Sequence, residues 1–192
     1  MPLPTIVANT QVKILDAETV QALITQKKLT FTMQGQQQTE WCWAAVAASV
    51  SAYFNPQSTW TQCAIVQSQQ LTGCTDCSTP ACNQEWYLSW ALSQTGNLAS
   101  TQRSTEPYHI VTGEVNASRP LCCRIAWKCG GAHYVALYGY HTVRLARYVD
   151  VADPLYGEST YAFGVFTNAY QHAGSWANTY FVQSGAEAST CP

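Results

Sequence analysis

Three side chains in this chain have the types and neighbours of a thiol hydrolase: Cys42, His133 and Asp153. Cys42 lies in Gln36-Gln37-Gln38-Thr39-Glu40-Trp41-Cys42-Trp43-Ala44-Ala45, six positions after Gln36 and at the head of an alanine-rich run. A helix starting there sets the sulfur on the positive end of the helix dipole, a placement that turns a thiol into a nucleophile. His133 lies in Gly130-Gly131-Ala132-His133-Tyr134-Val135, and Asp153 in Val151-Ala152-Asp153-Pro154. In such a set the sulfur attacks, the imidazole takes and returns the proton, and the carboxylate orients the imidazole. The Cys42 backbone N–H and the Gln36 side-chain amide are then the candidate donors to a developing oxyanion.

These residues need a helix and a hairpin to bring them together. Ala132–Tyr140 and Leu145–Ala152 read as paired strands. A turn centred near Val143 sets His133 directly across from Asp153, with Cβ atoms about 4.5–5.5 Å apart. A one-residue slip would move Asp153 to the other face. Leu121–Trp127 alternates as a further strand, Gly130-Gly131 marks a turn, and Ala177–Val182 is a last strand.

The first half reads as helices. Asp16 caps a run with Val20, Leu23 and Ile24 on one face and Lys27-Lys28 at its end. Leu29–Met33 alternates as a short strand. Thr39 caps a helix from Trp41 that is apolar all round, hence buried, and Pro56 follows its end. A third helix starts at Ser58 or Thr59 and reaches about Gln70. A fourth, capped by Asn83, carries Trp86, Leu88, Trp90 and Ala91 and stops at Gly96. Between them, residues 73–82 form a cysteine-rich loop. Helices first and an antiparallel sheet later predict an α+β chain with a cleft where the two meet. The chain then reads as a single domain over 1–192, with an N-terminal arm or pro-segment (1–28), a helical lobe (29–100) and a sheet lobe (101–192).

Composition narrows the function. The 192 residues suit one domain with a sizeable core. Only 10% are charged and the net charge is −2, with no basic run longer than Lys27-Lys28, so nucleic acid and anionic membrane are poor partners. No apolar stretch approaches the ~18 residues of a membrane span, and no secretory signal is visible at the start. Nine cysteines are many for this length. Setting Cys42 aside leaves eight, enough for four disulfides, which can pair in about a hundred ways. Their density points to an oxidising destination outside a cytosol. Cys74-Thr75-Asp76-Cys77 has the spacing of half a zinc site, but its other half is missing, so disulfides rank first.

Each residue also has a plainer reading. Cys42 can be an inert buried thiol, His133 an ordinary strand residue, Asp153-Pro154 a turn starter, and Gln36 a solvated member of a glutamine run. His109, His141 and His172 lack any such context and read as structural or surface residues. The tryptophans read as core and cleft wall, with Trp41 and Trp43 flanking Cys42 and lining the substrate cleft.

The chain resembles the papain-like cysteine proteases of the bacterial effector type, related to the AvrRpt proteases of plant pathogens and to bacteriocin-leader peptidases. The matching motifs are Gln36-x-x-x-x-Trp41-Cys42-Trp43-Ala44-Ala45, Gly131-Ala132-His133-Tyr134-Val135 and Val151-Ala152-Asp153-Pro154-Leu155-Tyr156-Gly157. The resemblance spans about Leu29 to Val182. It implies a papain-like fold with Cys42 as nucleophile, His133 as base, Asp153 as orienter and Gln36 in the oxyanion hole, with no cofactor and no metal. It also implies a protein or peptide substrate, delivery outside the producing cell as an effector or toxin, and an inhibitor, immunity protein or chaperone as partner. Where the family often has Gly-Gly-His, Ala132 precedes the histidine here. The rival readings are a thiol amidase or acyl transferase acting on cell wall or other amides, and a disulfide-stapled binding module with an inactive triad.

Overall fold

A computed structural model describes residues 24–185, which fold as helices α1 (Cys42–Phe54), α2 (Gln62–Ser68), α3 (Leu88–Gln94), α4 (Tyr108–Asn116) and α5 (Phe163–Ala169) with strands β1 (Ile24–Lys28), β2 (Leu98–Gln102), β3 (Leu121–Trp127), β4 (Ala132–Val143), β5 (Ala146–Asp153), β6 (Gly157–Ala162) and β7 (Gly174–Val182). All strand pairs are antiparallel, in the order β2-β7-β3-β4-β5-β6. The molecule is thus α+β, as its sequence predicts. β4 is long enough to serve two neighbours on one side: its first half pairs with β3, and its second half with β1.

α1 forms the centre of the helical part. Every residue from Cys42 to Ser51 is buried. Its alanines add little bulk and lose no side-chain entropy in a helix, so α2, α3 and β4 can all pack on it. α4 and α5 meet through Tyr108 and Phe163, whose ring centroids lie 5.2 Å apart. Both carry a helical spacing of buried or half-buried residues, Tyr108, Val111 and Val115 on α4, and Phe163, Phe166 and Tyr170 at and after α5. Neither these two helices nor the short edge strands β2 and β6 are among the elements expected from sequence.

Several local expectations are corrected. Lys27-Lys28 ends a strand rather than a helix, because pairing with residues 139–143 of β4 overrides the local pattern. Asp16, Val20 and Leu23 lie outside the described residues. Leu29–Met33 is not a strand. The Leu29 N–H still donates to the Tyr138 carbonyl (2.8 Å), after which the chain leaves the sheet and Phe31 packs on Tyr53 and Tyr138. Thr61, not Ser58 or Thr59, caps α2, its hydroxyl accepting from the Ala64 N–H at 3.1 Å.

The cysteine-rich loop is stapled by Cys63–Cys77 and Cys74–Cys82. The Cys74-x-x-Cys77 spacing is therefore spent on two different disulfides, not on a metal. Pairing does not extend to all eight remaining cysteines. Cys122 and Cys123 are buried and unpaired, Cys129 is exposed and unpaired among the described residues, and Cys191 lies outside them.

Candidate active site

Cys42 is the first residue of α1. Amides in a first helical turn have no partner within their own helix and point along the axis toward the N-terminus. The dipole and these donors therefore converge beside the sulfur. No side chain caps α1. The Thr39 hydroxyl, the expected cap, instead accepts from the Asn83 amide (2.8 Å), and Asn83 Oδ1 accepts from the Glu40 N–H (2.9 Å). Asn83 is thus no helix cap either. It follows a single turn of 3₁₀ helix over Pro80–Cys82, and α3 begins only at Leu88. Two indoles complete the grip: Trp41 Nε1–H donates to the Cys82 carbonyl (2.8 Å), and Trp43 Nε1–H to the Gln84 carbonyl (3.0 Å). The end of the disulfide-stapled loop thereby holds the residues on both sides of Cys42.

His133 and Asp153 meet as predicted, but not straight across. The β4–β5 ladder begins with Val143 opposite Ala146, and after Tyr138 it shifts so that Leu137 faces Val151 and Ala136 faces Ala152. Tyr138 is the extra residue of a β-bulge. The shift has two consequences. It restores the parity that puts Asp153 and His133 on one face, and it makes them diagonal neighbours rather than opposed ones. Diagonal side chains of this length remain within reach. His133 Nε2 lies 2.8 Å from Asp153 Oδ1. Cys42 lies near enough to the imidazole to favour its charged form.

Asp153 is satisfied on both oxygens. Oδ1 also accepts from the Leu155 and Tyr156 N–H groups (2.7 and 2.9 Å), and Oδ2 accepts from the Tyr170 hydroxyl (2.6 Å). Asp153 therefore starts the turn and bonds His133 with the same oxygen. Burial pushes the Asp153 carboxyl up, but the bonds from His133, Tyr170 and Tyr156 outweigh it and hold it below the usual range. Burial likewise pulls His133 down, while Asp153 and Cys42 favour the charged imidazolium more strongly and raise it to about 9. Trp127 stacks on both His133 and Tyr170, with interplanar angles of 23° and 25°. Gly174 makes room for that ring, since a Cβ there would collide with Ile125 and Trp127. Gly130 and Gly131, both at positive φ, form the expected turn into β4.

Gln36 sits in a loop bolted to both sides of the site. Its N–H donates to the Pro154 carbonyl (2.9 Å). The buried Gln62 of α2 receives the Gln37 N–H (3.0 Å) and donates to the Gly35 carbonyl (2.9 Å). The Gln36 amide Nε2 donates to the carbonyls of Gln38 (3.0 Å) and Thr39 (2.7 Å), leaving Oε1 buried without a partner. Both amide hydrogens are therefore engaged within the loop, and one must be released before Gln36 can donate to an oxyanion.

A groove of about 570 Å³ opens on Cys42 and runs between the helical part and β3, β4 and β7. Trp43 lines it, as expected. Trp41 does not; it is buried beneath the stapled loop. The site residues that sequence reasoning missed are Tyr170, Trp127, Gln62 and Asn83. No motif marks them, because each reaches the site through tertiary contacts alone. His141 stacks on Tyr148 (4.6 Å between centroids), and His109 and His172 are exposed, in keeping with structural and surface roles.

The model of the papain-like cysteine protease AvrRpt2 family matches residues 24–171. Among solved structures, the peptidase domain of Streptococcus ComA, a bi-functional ABC transporter involved in a quorum-sensing pathway, superposes with a TM-score of 0.52. That match has 15% sequence identity and covers 79% of this chain and 97% of that one, a likeness of fold. No curated protein matches at the level of sequence. With the family match spanning well over half of its length, the chain belongs to the AvrRpt2 papain-like cysteine protease family and is a cysteine peptidase.

Proposed function

We propose that this peptidase hydrolyses peptide bonds through an acyl-enzyme on Cys42. Cys42 Sγ attacks the scissile carbonyl carbon, and its proton passes to His133. The Cys42 N–H, and Gln36 once its amide turns, donate to the oxyanion. The C–N bond then breaks, His133 returns the proton to the leaving amine, and a thioester remains. Water attacks the thioester with His133 as base, the C–S bond breaks, and the carboxylic acid leaves. Asp153 stays ionised throughout and holds the imidazole in orientation. The observation that carries this reading is a buried imidazole bonded to Asp153 through Nε2 and lying beside Cys42, which heads α1.

The protein acts outside the producing cell, as an effector or toxin whose partners are a protein or peptide substrate and an inhibitor, immunity protein or chaperone. Two disulfides support an oxidising destination, and no helix among the described residues is long and apolar enough to cross a membrane. Ile24–Lys28 belong to the sheet as β1, so an arm or pro-segment to the single domain is confined to the residues before them. Turnover of a peptide library by wild type, Cys42→Ala and His133→Ala tests the chemistry. Loss of cleavage in both variants supports it, and full activity in Cys42→Ala overturns it.

A further inference from the structure

The walls of the groove carry opposite charges. Glu40 and Glu85 stand on the helical side, in the loops that lead into α1 and α3, while Arg103 and Arg124 stand on the sheet side. None of the four forms a salt bridge among the described residues. Arg124 is the most enclosed of the two arginines. It is half-buried in the middle of β3, opposite Tyr134 of β4 and Asn178 of β7, and both of those also line the groove. Tyr134 and Tyr180, edge to face at 5.9 Å, complete an aromatic surround. Burial pushes both phenols up, and the nearby guanidinium pulls against that rise.

A guanidinium half-buried in the wall of a groove and without a carboxylate keeps its donors free for a ligand. Its planar fork matches a carboxylate in two parallel hydrogen bonds. We infer that Arg124 is a specificity residue of this groove, and that it receives a carboxylate of the bound peptide on the sheet wall beside Cys42. The inference rests on the protease reading and adds a substrate class to it: peptides with an acidic group close to the scissile bond. Glu40 and Glu85 sharpen the choice by repelling the same group from the opposite wall. The carboxylate can be an Asp or Glu side chain or the peptide's own C-terminus.

The test uses internally quenched peptides in which each position near the scissile bond is varied between Asp/Glu and Asn/Gln, each made with a free and an amidated C-terminus. The full chain and its Arg124→Gln, Arg124→Lys and Arg124→Glu variants are compared, and His133-dependent alkylation of Cys42 reports that each variant keeps an intact site. The expected result is a kcat/KM ratio of acidic to neutral peptides of about 10 or more in wild type, the scale of one charge-assisted bidentate contact. That ratio collapses towards one in Arg124→Gln, is partly kept in Arg124→Lys and inverts in Arg124→Glu. A preference at an internal position identifies a side chain, and one lost on amidation identifies the C-terminus. If the wild type prefers no acidic peptide, or if Arg124→Gln keeps the preference, the inference is wrong while the protease reading stands. If the wild type cleaves no peptide at all, the protease reading fails and the inference falls with it.

Discussion

The indole N–H of Trp41 donates to the carbonyl of Cys82 at 2.8 Å, so the residue beside the candidate nucleophile hangs from the end of a disulfide-stapled loop. Together with the bonds from Asn83 and to Gln84, this contact ties the α1 N-terminus to a segment that has little secondary structure of its own. The Cys74–Cys82 bridge is therefore expected to act on catalysis as well as on stability.

A Cys74→Ser/Cys82→Ser double variant should lower the melting midpoint, since loss of a native disulfide costs about 2–5 kcal/mol. It should also lower kcat by about tenfold at temperatures where the protein remains folded, because misplacement of reacting groups by even an ångström is costly. Thermal unfolding and turnover measured on the same samples separate the two effects. A variant that melts earlier but turns over normally would show that the loop only stabilises.

The His133–Asp153 pair sets the pH dependence. His133 is raised from 6.5 to about 9, so its contribution to stability is complete below about pH 6.5 and is lost as pH rises through about 9. Asp153 is lowered, so its contribution is present above its ordinary value of 3.8 and is lost as pH falls through its still lower folded value. Asp153→Asn removes what holds His133 up. The alkaline limb of kcat should then move to lower pH, and kcat should fall by about 10²–10⁴-fold. An NMR titration of the His133 ring checks the direction directly. An unmoved His133 titration in Asp153→Asn would contradict the account.

Tyr170→Phe should act more mildly and on the opposite limb. The Tyr170 hydroxyl bonds the ionised Asp153, so its loss lets the Asp153 pKa rise. The acid limb should shift to higher pH, with a loss of about 1.5–3 kcal/mol in stability, the scale of a hydrogen bond to a charged group. Chemical denaturation and a pH–rate profile measure both.

Part of this architecture is legible in the sequence, and the remainder depends on contacts that leave no local trace. The apolar alanine-rich run after Cys42 marks α1, and the recurrence of Leu121, Cys123, Ile125 and Trp127 marks β3, although Cys122 on the other face is buried as well. The pairing of His133 with Asp153 was reached through a register that the fold does not use. Only the bulge at Tyr138 keeps both side chains on one face, and no residue type announces a bulge. Asn83 and Thr39 look like helix caps and are instead bonded to each other, since the same polar groups satisfy loops as readily as helix ends. Tyr170 and Gln62 are invisible as site residues because they reach the site through the sheet's neighbours rather than through sequence spacing.

Gln36→Ala should lower kcat by about 10–10³-fold with little change in KM, if its amide turns from the Gln38 and Thr39 carbonyls to the oxyanion. Steady-state kinetics on one peptide substrate give both constants. An unchanged kcat would leave the oxyanion to the backbone donors of α1.

The pairing of Cys42 with His133 is tested most directly by iodoacetamide alkylation across pH 4 to 9, read by peptide mass spectrometry in wild type and His133→Ala. Cys122 and Cys123 serve as internal controls: burial raises both thiols, Cys122 to about 12, and neither should be labelled in the folded protein. The account predicts fast labelling of Cys42 near pH 5–6 in wild type and at least tenfold slower labelling in His133→Ala, the scale of a lost base. Slow labelling of Cys42 that is the same in both proteins would contradict it.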